Sequence, residues 1–241
     1  MKIALIAPFG SFADSYSLSH VVCDQARALL ARGHAVEVWC FTGCVPANDG
    51  PCRGIMSVIR PCIGAQKFER DRTEDRRWRS YADDISVACT RLMPDVIVTH
   101  DALFQADYID IAKAIHKVCQ TEPACAKAKW FHVAHSDLPA PPHKQAEGCA
   151  AFRRTLPPGH KVIYPNASKA GHAAQWYGTD PANVVTCPNP HDPRTVWRLS
   201  DDAAHFVSRF DLLTADIVQV YAACATRRVD KGVGHLLRIF G

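Results

Sequence analysis

Two short polar groups follow two buried-strand patterns in this 241-residue chain, and both contain histidine. His100-Asp101 follows Val96-Ile97-Val98-Thr99, and His132 with His135-Ser136 follows Trp130-Phe131. In an open parallel sheet, ligands bind outside the carboxyl ends of the strands. A histidine there can accept or donate a hydrogen bond to a sugar hydroxyl or to a developing oxyanion. One such histidine would serve as readily to tie down a loop; two groups at corresponding strand ends favour a shared cleft. Pro8-Phe9-Gly10-Ser11 follows the first strand pattern, and Gly10 would let a ligand approach the backbone there. An ordinary tight turn explains Gly10 equally well, because no G-x-G-x-x-G is present. A third constellation closes the chain. Ile217–Tyr221 reads as a strand, Arg227, Arg228 and Lys231 as a cationic loop, and Val233, Leu236, Leu237 and Phe240 as the apolar stripe of a helix. Unpaired backbone N–H groups at a helix start, with the helix dipole, favour an anion such as phosphate.

Several chemistries lack their residues. There is no H-E-x-x-H, H-x-x-E-H or G-x-S-x-G, so zinc protease and serine hydrolase readings have no support. No D-x-D pair is present to hold a metal against a diphosphate. Among the eleven cysteines, Cys40, Cys44, Cys52 and Cys62 are spaced too unevenly for a zinc ribbon. Cys23, Cys40, Cys89, Cys187 and Cys224 lie in apolar segments, where a thiol behaves as a small hydrophobe. The expectation is no metal and reduced thiols in a cytoplasmic protein. A net charge of +4 suits an anionic small ligand or a lipid surface and is too weak to argue for nucleic acid. No apolar run approaches the roughly 18 residues of a membrane span. Met1–Pro8 reads as a buried first strand rather than a signal peptide, since the run breaks at Pro8 without a small-residue cleavage site.

These groups need strands to carry them. Short β-branched runs alternate with helical patterns, which argues for an α/β fold with a doubly wound, Rossmann-like parallel sheet. Strands are expected at Ile3–Ala7, Ala35–Phe41, Ile55–Ile59, Val96–Thr99, Trp130–Val133, Val162–Tyr164 and Val184–Thr186. Helices are expected at Ser19–Ala31, ending at Gly33, and within Lys67–Met93 on the stripe Trp78, Tyr81, Ile85, Cys89 and Leu92. Others fall near Phe104–Cys119, Lys144–Arg154 and Ser168–Tyr177, and a helix capped at Ser200 carries Phe206 and Phe210. A domain boundary near residue 195 divides 1–195 from 196–241.

Taken in order, several segments resemble retaining glycosyltransferases of family 4, which have the two-domain GT-B fold. They are Arg32-Gly33-His34-Ala-Val-Glu-Val38, Pro94-Asp95-Val-Ile-Val-Thr-His100, Val162-Ile-Tyr-Pro-Asn-Ala-Ser168, Tyr177-Gly178 with Val184-Val-Thr-Cys-Pro188-Asn189-Pro-His-Asp192, and Arg227-Arg228-Val-Asp-Lys231-Gly232-Val233. The resemblance implies an acceptor-side first domain, a donor-binding second domain, and a hexose moved from a nucleotide-sugar such as UDP- or GDP-hexose to a glycan or lipid-linked acceptor. It implies no cofactor beyond that co-substrate. Lys231, with Arg227 or Arg228, would neutralise the departing diphosphate without a metal, and His100 would lie near the transferred sugar as the catalytic-site residue. Gly10, Ser11, His132 and His135 would line the acceptor cleft, while Asn189 and Asp192 would fix a turn. The chain departs from the family in its first loop, which has Gly10-Ser11 where a glycine pair is usual, and in lacking the acidic E-x7-E segment. A second domain of about 100–150 further residues is expected, so the reading is of a donor domain begun and not finished. The different-class alternative is a non-catalytic acceptor-binding or regulatory module. Contact with a membrane surface, and a partner chain or self-association through the exposed face of the last helix, are the further partners this reading allows.

Overall fold

The computed structural model describes residues 1–9, 11–13, 16–44, 51–64, 74–103, 108–135, 155–190, 201–211 and 214. Seven strands, β1 (Lys2–Ile6), β2 (Ala35–Phe41), β3 (Ile59–Ile63), β4 (Val96–His100), β5 (Lys129–Val133), β6 (Lys161–Tyr164) and β7 (Val184–Thr186), form one sheet in the order β3-β2-β1-β4-β5-β6-β7. Every pairing is parallel. Ile3, Ala4, Leu5 and Ile6 are all buried, the continuous apolar run expected of a strand covered on both faces. The fold is therefore the α/β, Rossmann-like parallel sheet that the alternation of patterns implied.

The helices are α1 (Ser17–Ala31), α2 (Glu74–Leu92), α3 (Ile109–Thr121), α4 (Pro123–Lys127), α5 (Ala170–Trp176) and α6 (Asp201–Arg209). α1 stops at a Schellman turn. Gly33 sits at φ 77°, its N–H donates to the Leu30 carbonyl at 2.9 Å, and His34 N–H donates to the Leu29 carbonyl at 3.2 Å. α4 is capped by the Glu122 side chain, which accepts from the Ala124 N–H at 3.2 Å. None of the described helices is long and apolar enough to cross a membrane.

Two expectations are corrected. The third strand begins at Ile59, not Ile55, because Gly54 at φ 80° and hydrogen bonds Ile55 N–H to Cys52 O and Val58 N–H to Ile55 O curl the preceding residues into turns. Pro61 is accommodated since β3 is an edge strand. The reading of wholly reduced thiols also fails, because Cys89 of α2 and Cys125 of α4 form a disulfide, with Cα atoms 6.0 Å apart. Both side chains are buried where α2 and α4 meet, which is what brings them within bonding reach. Cys23 and Cys52, also buried, bring their Sγ atoms to 3.6 Å without bonding covalently.

By its contacts the chain divides into two compact units, Met1–Asp192 and Pro193–Gly241. The first contains the sheet. In the second, Phe206 of the described helix α6 and Phe210 just beyond its end are exposed, their rings 4.7 Å apart. The expected helix at Lys144–Arg154 and final strand at Ile217–Tyr221 lie outside the described residues.

Candidate active site

The strand order reverses between β1 and β4. Such a switch point lets the two following loops diverge to opposite faces, opening a crevice at the carboxyl ends. Register pairs Ile6 with Thr99, so the β1 exit at Ala7-Pro8-Phe9 lies beside His100 at the end of β4. Phe9 is buried and packs edge-on against Phe12 and Tyr16, at 6.0 and 5.2 Å between ring centroids, which anchors the β1–α1 loop. Ser11 is exposed, and its carbonyl accepts from the Ser19 hydroxyl at 3.4 Å. Gly10 lies outside the described residues.

His100 is almost wholly buried, at 1% exposure. Its Nδ1 lies 3.0 Å from Nε2 of His135, and the two rings stack nearly parallel, 9° apart with centroids at 5.3 Å. Asp101 makes the pairing possible. It adopts a left-handed backbone, φ 54°, and its N–H donates to the Val133 carbonyl at 2.8 Å. That turn brings its carboxylate to accept the backbone N–H of His135, also at 2.8 Å. Among the described residues, the buried Nε2 of His100 has no hydrogen-bond partner. Burial, and then the neighbouring His135, hold the His100 pKa well below the ordinary histidine value. Burial likewise lowers that of His135, opposed by the Asp101 carboxylate and the Asn189 side chain.

His132 goes elsewhere. Side chains alternate between the faces of a strand, and register sets Thr99 beside His132, so these two share the face opposite His100. His132 Nδ1 lies 2.9 Å from the Thr99 hydroxyl and its Nε2 2.9 Å from Nδ1 of His160. His160 stacks on Trp130, 3° from parallel at 5.4 Å, and the Trp130 indole N–H donates to the Cys125 carbonyl at 2.8 Å. Both ring nitrogens of His132 are thus occupied within the core. Burial foremost, and then His160 and His116, hold the pKa of His132 well below the ordinary value. Burial foremost, and then His116, push His160 down to about 4.

The fold accordingly brings His100 and His135 together, beside the loop that bears Ser11, and separates His132 from them. Arg227, Arg228 and Lys231 lie outside the described residues. Sequence reading attached no role to Asp101 or to His160, and gave Asn189, which lies beside His135, only the fixing of a turn. Only the His100-Asp101 adjacency was visible in advance, since His160, just before β6, and Asn189, just after β7, are distant in sequence. Among the described residues, no group of three or more His, Cys, Asp or Glu side chains could hold a metal ion.

No protein-family model matches this chain, and no curated protein sequence does. Solved structures share its fold. A glycosyltransferase from Rickettsia africae ESF-5 superposes with a TM-score of 0.53 at 12% identity, over 90% of this chain and 50% of that one. WaaG, a glycosyltransferase involved in lipopolysaccharide biosynthesis, superposes with a TM-score of 0.53 at 12% identity, over 87% of this chain and 51% of that one. The chain spans about half the length of these structures. At such identity the likeness is one of fold: a parallel, Rossmann-like sheet of the kind found in these glycosyltransferases.

Proposed function

We propose that this chain belongs to a retaining glycosyltransferase that moves a hexose from a nucleotide-sugar, such as UDP- or GDP-hexose, to a glycan or lipid-linked acceptor. The observation that carries the reading is the His100–His135–Asp101 assembly at the sheet's switch point, with a buried ring nitrogen of His100 left unpartnered. The fold shared with glycosyltransferases supports it. In this reading residues 1–195 form the acceptor-side domain and 196–241 belong to the donor side. His100 meets a sugar hydroxyl, and Gly10, Ser11 and His135 border the acceptor. His132 buttresses the cleft from the opposite face of the sheet. Lys231, with Arg227 or Arg228, neutralises the leaving diphosphate. Stabilising a departing phosphate is a problem of charge, and a guanidinium with an ammonium can solve it without a metal.

Calorimetric titration with UDP, GDP and their hexose conjugates tests the proposal, beside a Lys231→Ala variant. Losing one charge-assisted contact of about 1.5–3 kcal/mol should weaken binding roughly 10- to 100-fold. Absence of binding at millimolar nucleotide overturns the transferase reading. Acceptor binding without nucleotide binding would instead favour the non-catalytic acceptor-binding or regulatory module.

A further inference from the structure

Away from the candidate site, two buried thiols are already in contact. Cys23 lies on α1 and Cys52 follows β2, and both are wholly buried. Their Sγ atoms are 3.6 Å apart, and neither residue is in a disulfide. A disulfide holds its sulfurs about 2.0 Å apart, so side-chain rotation has only about 1.6 Å to close. The surrounding chain is arranged to keep the two sulfurs together. Arg27, one turn along α1 from Cys23, donates through Nη2 to the carbonyls of Pro51 and Arg53, the latter at 2.9 Å. These are the residues on either side of Cys52. Asp24 orients the guanidinium by accepting from its Nη1 at 2.7 Å. Gly54, at φ 80°, then turns the chain, and the Ile55 N–H donates back to the Cys52 carbonyl at 3.0 Å. An arginine committed to the two carbonyls that flank one cysteine seats that cysteine over α1.

We propose that Cys23 and Cys52, seated by Arg27, are a redox-active dithiol that a low-molecular-weight disulfide such as oxidised glutathione converts to a cross-link between α1 and the segment after β2. The reaction balances in two exchanges. A thiolate of the pair attacks oxidised glutathione, forms a mixed disulfide and expels one glutathione thiolate. The second protein thiolate attacks the protein sulfur of that mixed disulfide and expels the other. Two protein thiols are oxidised, two glutathione thiols are produced, and the two protons pass to them. In the closed pair the reaction is held back. The hydrogen bond with Cys52, and then burial, keep the Cys23 pKa well above the ordinary thiol value, so the nucleophilic thiolate is scarce. The first attack falls to Cys52, which sits on a turn and is freed when Arg27 releases the carbonyls beside it. Cys23 stays on its helix and makes the second attack as the turn closes again. Cys40, on β2, and Cys44, whose thiol meets that of Cys40, are the nearby rivals.

The full chain is equilibrated in glutathione buffers of rising oxidised-to-reduced ratio, quenched with acid, alkylated in denaturant and digested, and mass spectrometry reads the pairing. A peptide joining Cys23 to Cys52 should appear as the ratio rises, and both thiols should leave the alkylated pool together. Cys23→Ser should instead accumulate glutathione on Cys52. Arg27→Ala should lower the equilibrium constant for the cross-link about tenfold, as expected for lost hydrogen bonds from a charged group. The Cys89–Cys125 bond, remote in sequence from Arg27, serves as the control for folding. Cys23 and Cys52 both alkylated in the most oxidising buffer, or Cys52 joined to Cys40 or Cys44 instead, overturns the proposal. So does an Arg27→Ala chain that cross-links as readily as the wild type. If Arg27→Ala loses the Cys89–Cys125 bond, the wild-type pairing still decides. The nucleotide titration stands apart, since neither thiol belongs to the site proposed for the sugar.

Discussion

Lowering the pH from 7 to 4.5 should destabilise the sheet unit well before its carboxylates titrate. The cause is the histidines buried on both faces. His160 is held near pKa 4 by burial, then by His116, whereas an unfolded chain binds that proton near 6.5. With a depressed folded value, the stabilisation is complete above pH 6.5 and is lost as the pH falls toward 4, because the unfolded state takes up the proton first. At pH 4.5 the loss from His160 alone comes to about 2.5 kcal/mol, from about 1.4 kcal/mol for each pH unit crossed. His132 and His100, both driven well down by burial and then by neighbouring histidines, act in the same direction. Against a total domain stability of about 5–15 kcal/mol, three such groups suffice to unfold the unit in mild acid. Urea denaturation followed by tryptophan fluorescence at half-unit steps from pH 7.5 to 4.5 measures this, since Trp130 stacks directly on His160. In a His160→Gln variant, the loss between pH 6.5 and 4.5 should shrink by about 2 kcal/mol relative to wild type, whatever the variant's stability at pH 7.5. A wild-type stability that stays level across that window would refute the reasoning, because it would mean the buried rings accept protons as easily as free ones.

Two other expectations concern the frame. Cleaving the Cys89–Cys125 disulfide, whose partners are 36 residues apart, should lower stability by about 4 kcal/mol on the chain-entropy account; equal urea midpoints with and without reductant would rule that out. Gly33→Ala should cost about 1 kcal/mol through its left-handed backbone alone, since a Cβ there would meet nothing within 4 Å; a neutral result in thermal unfolding would show that the turn relaxes.

What was legible in the sequence was whatever is written locally. A parallel strand buried on both faces is a continuous apolar run, so β1, β2 and β4 to β7 stood out within a residue or two of their observed bounds. The β3 edge strand did not, because Ile55 carries the same apolar signal as Ile59 while the turn set by Gly54 overrides it. His100 was legible because a clear strand ends at it. Its pairing with His135 was not, since it depends on the left-handed turn at Asp101. The separation of His132 was hidden for a different reason. Parallel strands have no hairpin to fix their register, so the position of His132 beside Thr99, and hence its face, became visible only with the sheet assembled. The disulfide required knowing that α2 and α4 meet, which no cysteine spacing reveals.

Both histidine groups are deeply set, yet they differ in what their nitrogens do, and that difference is the firmest guide to their roles. His132 has a partner on each ring nitrogen, so burying it leaves nothing unmet. His100 meets His135 on one ring nitrogen and keeps the other, Nε2, buried without a partner among the described residues. An unmet buried polar atom costs on the order of 1–3 kcal/mol, and folds rarely retain one without a use for it. The sheet could have satisfied His100 as fully as it does His132, since both sit at strand ends among polar neighbours. Instead the left-handed turn at Asp101 spends its carboxylate on the backbone of His135, fixing one ring against the other and leaving the buried Nε2 of His100 without a partner among the described residues. Both ring nitrogens of His132 are closed within the core, whereas His100 is closed only where its ring meets His135, at the end of the sheet where ligands of such folds bind.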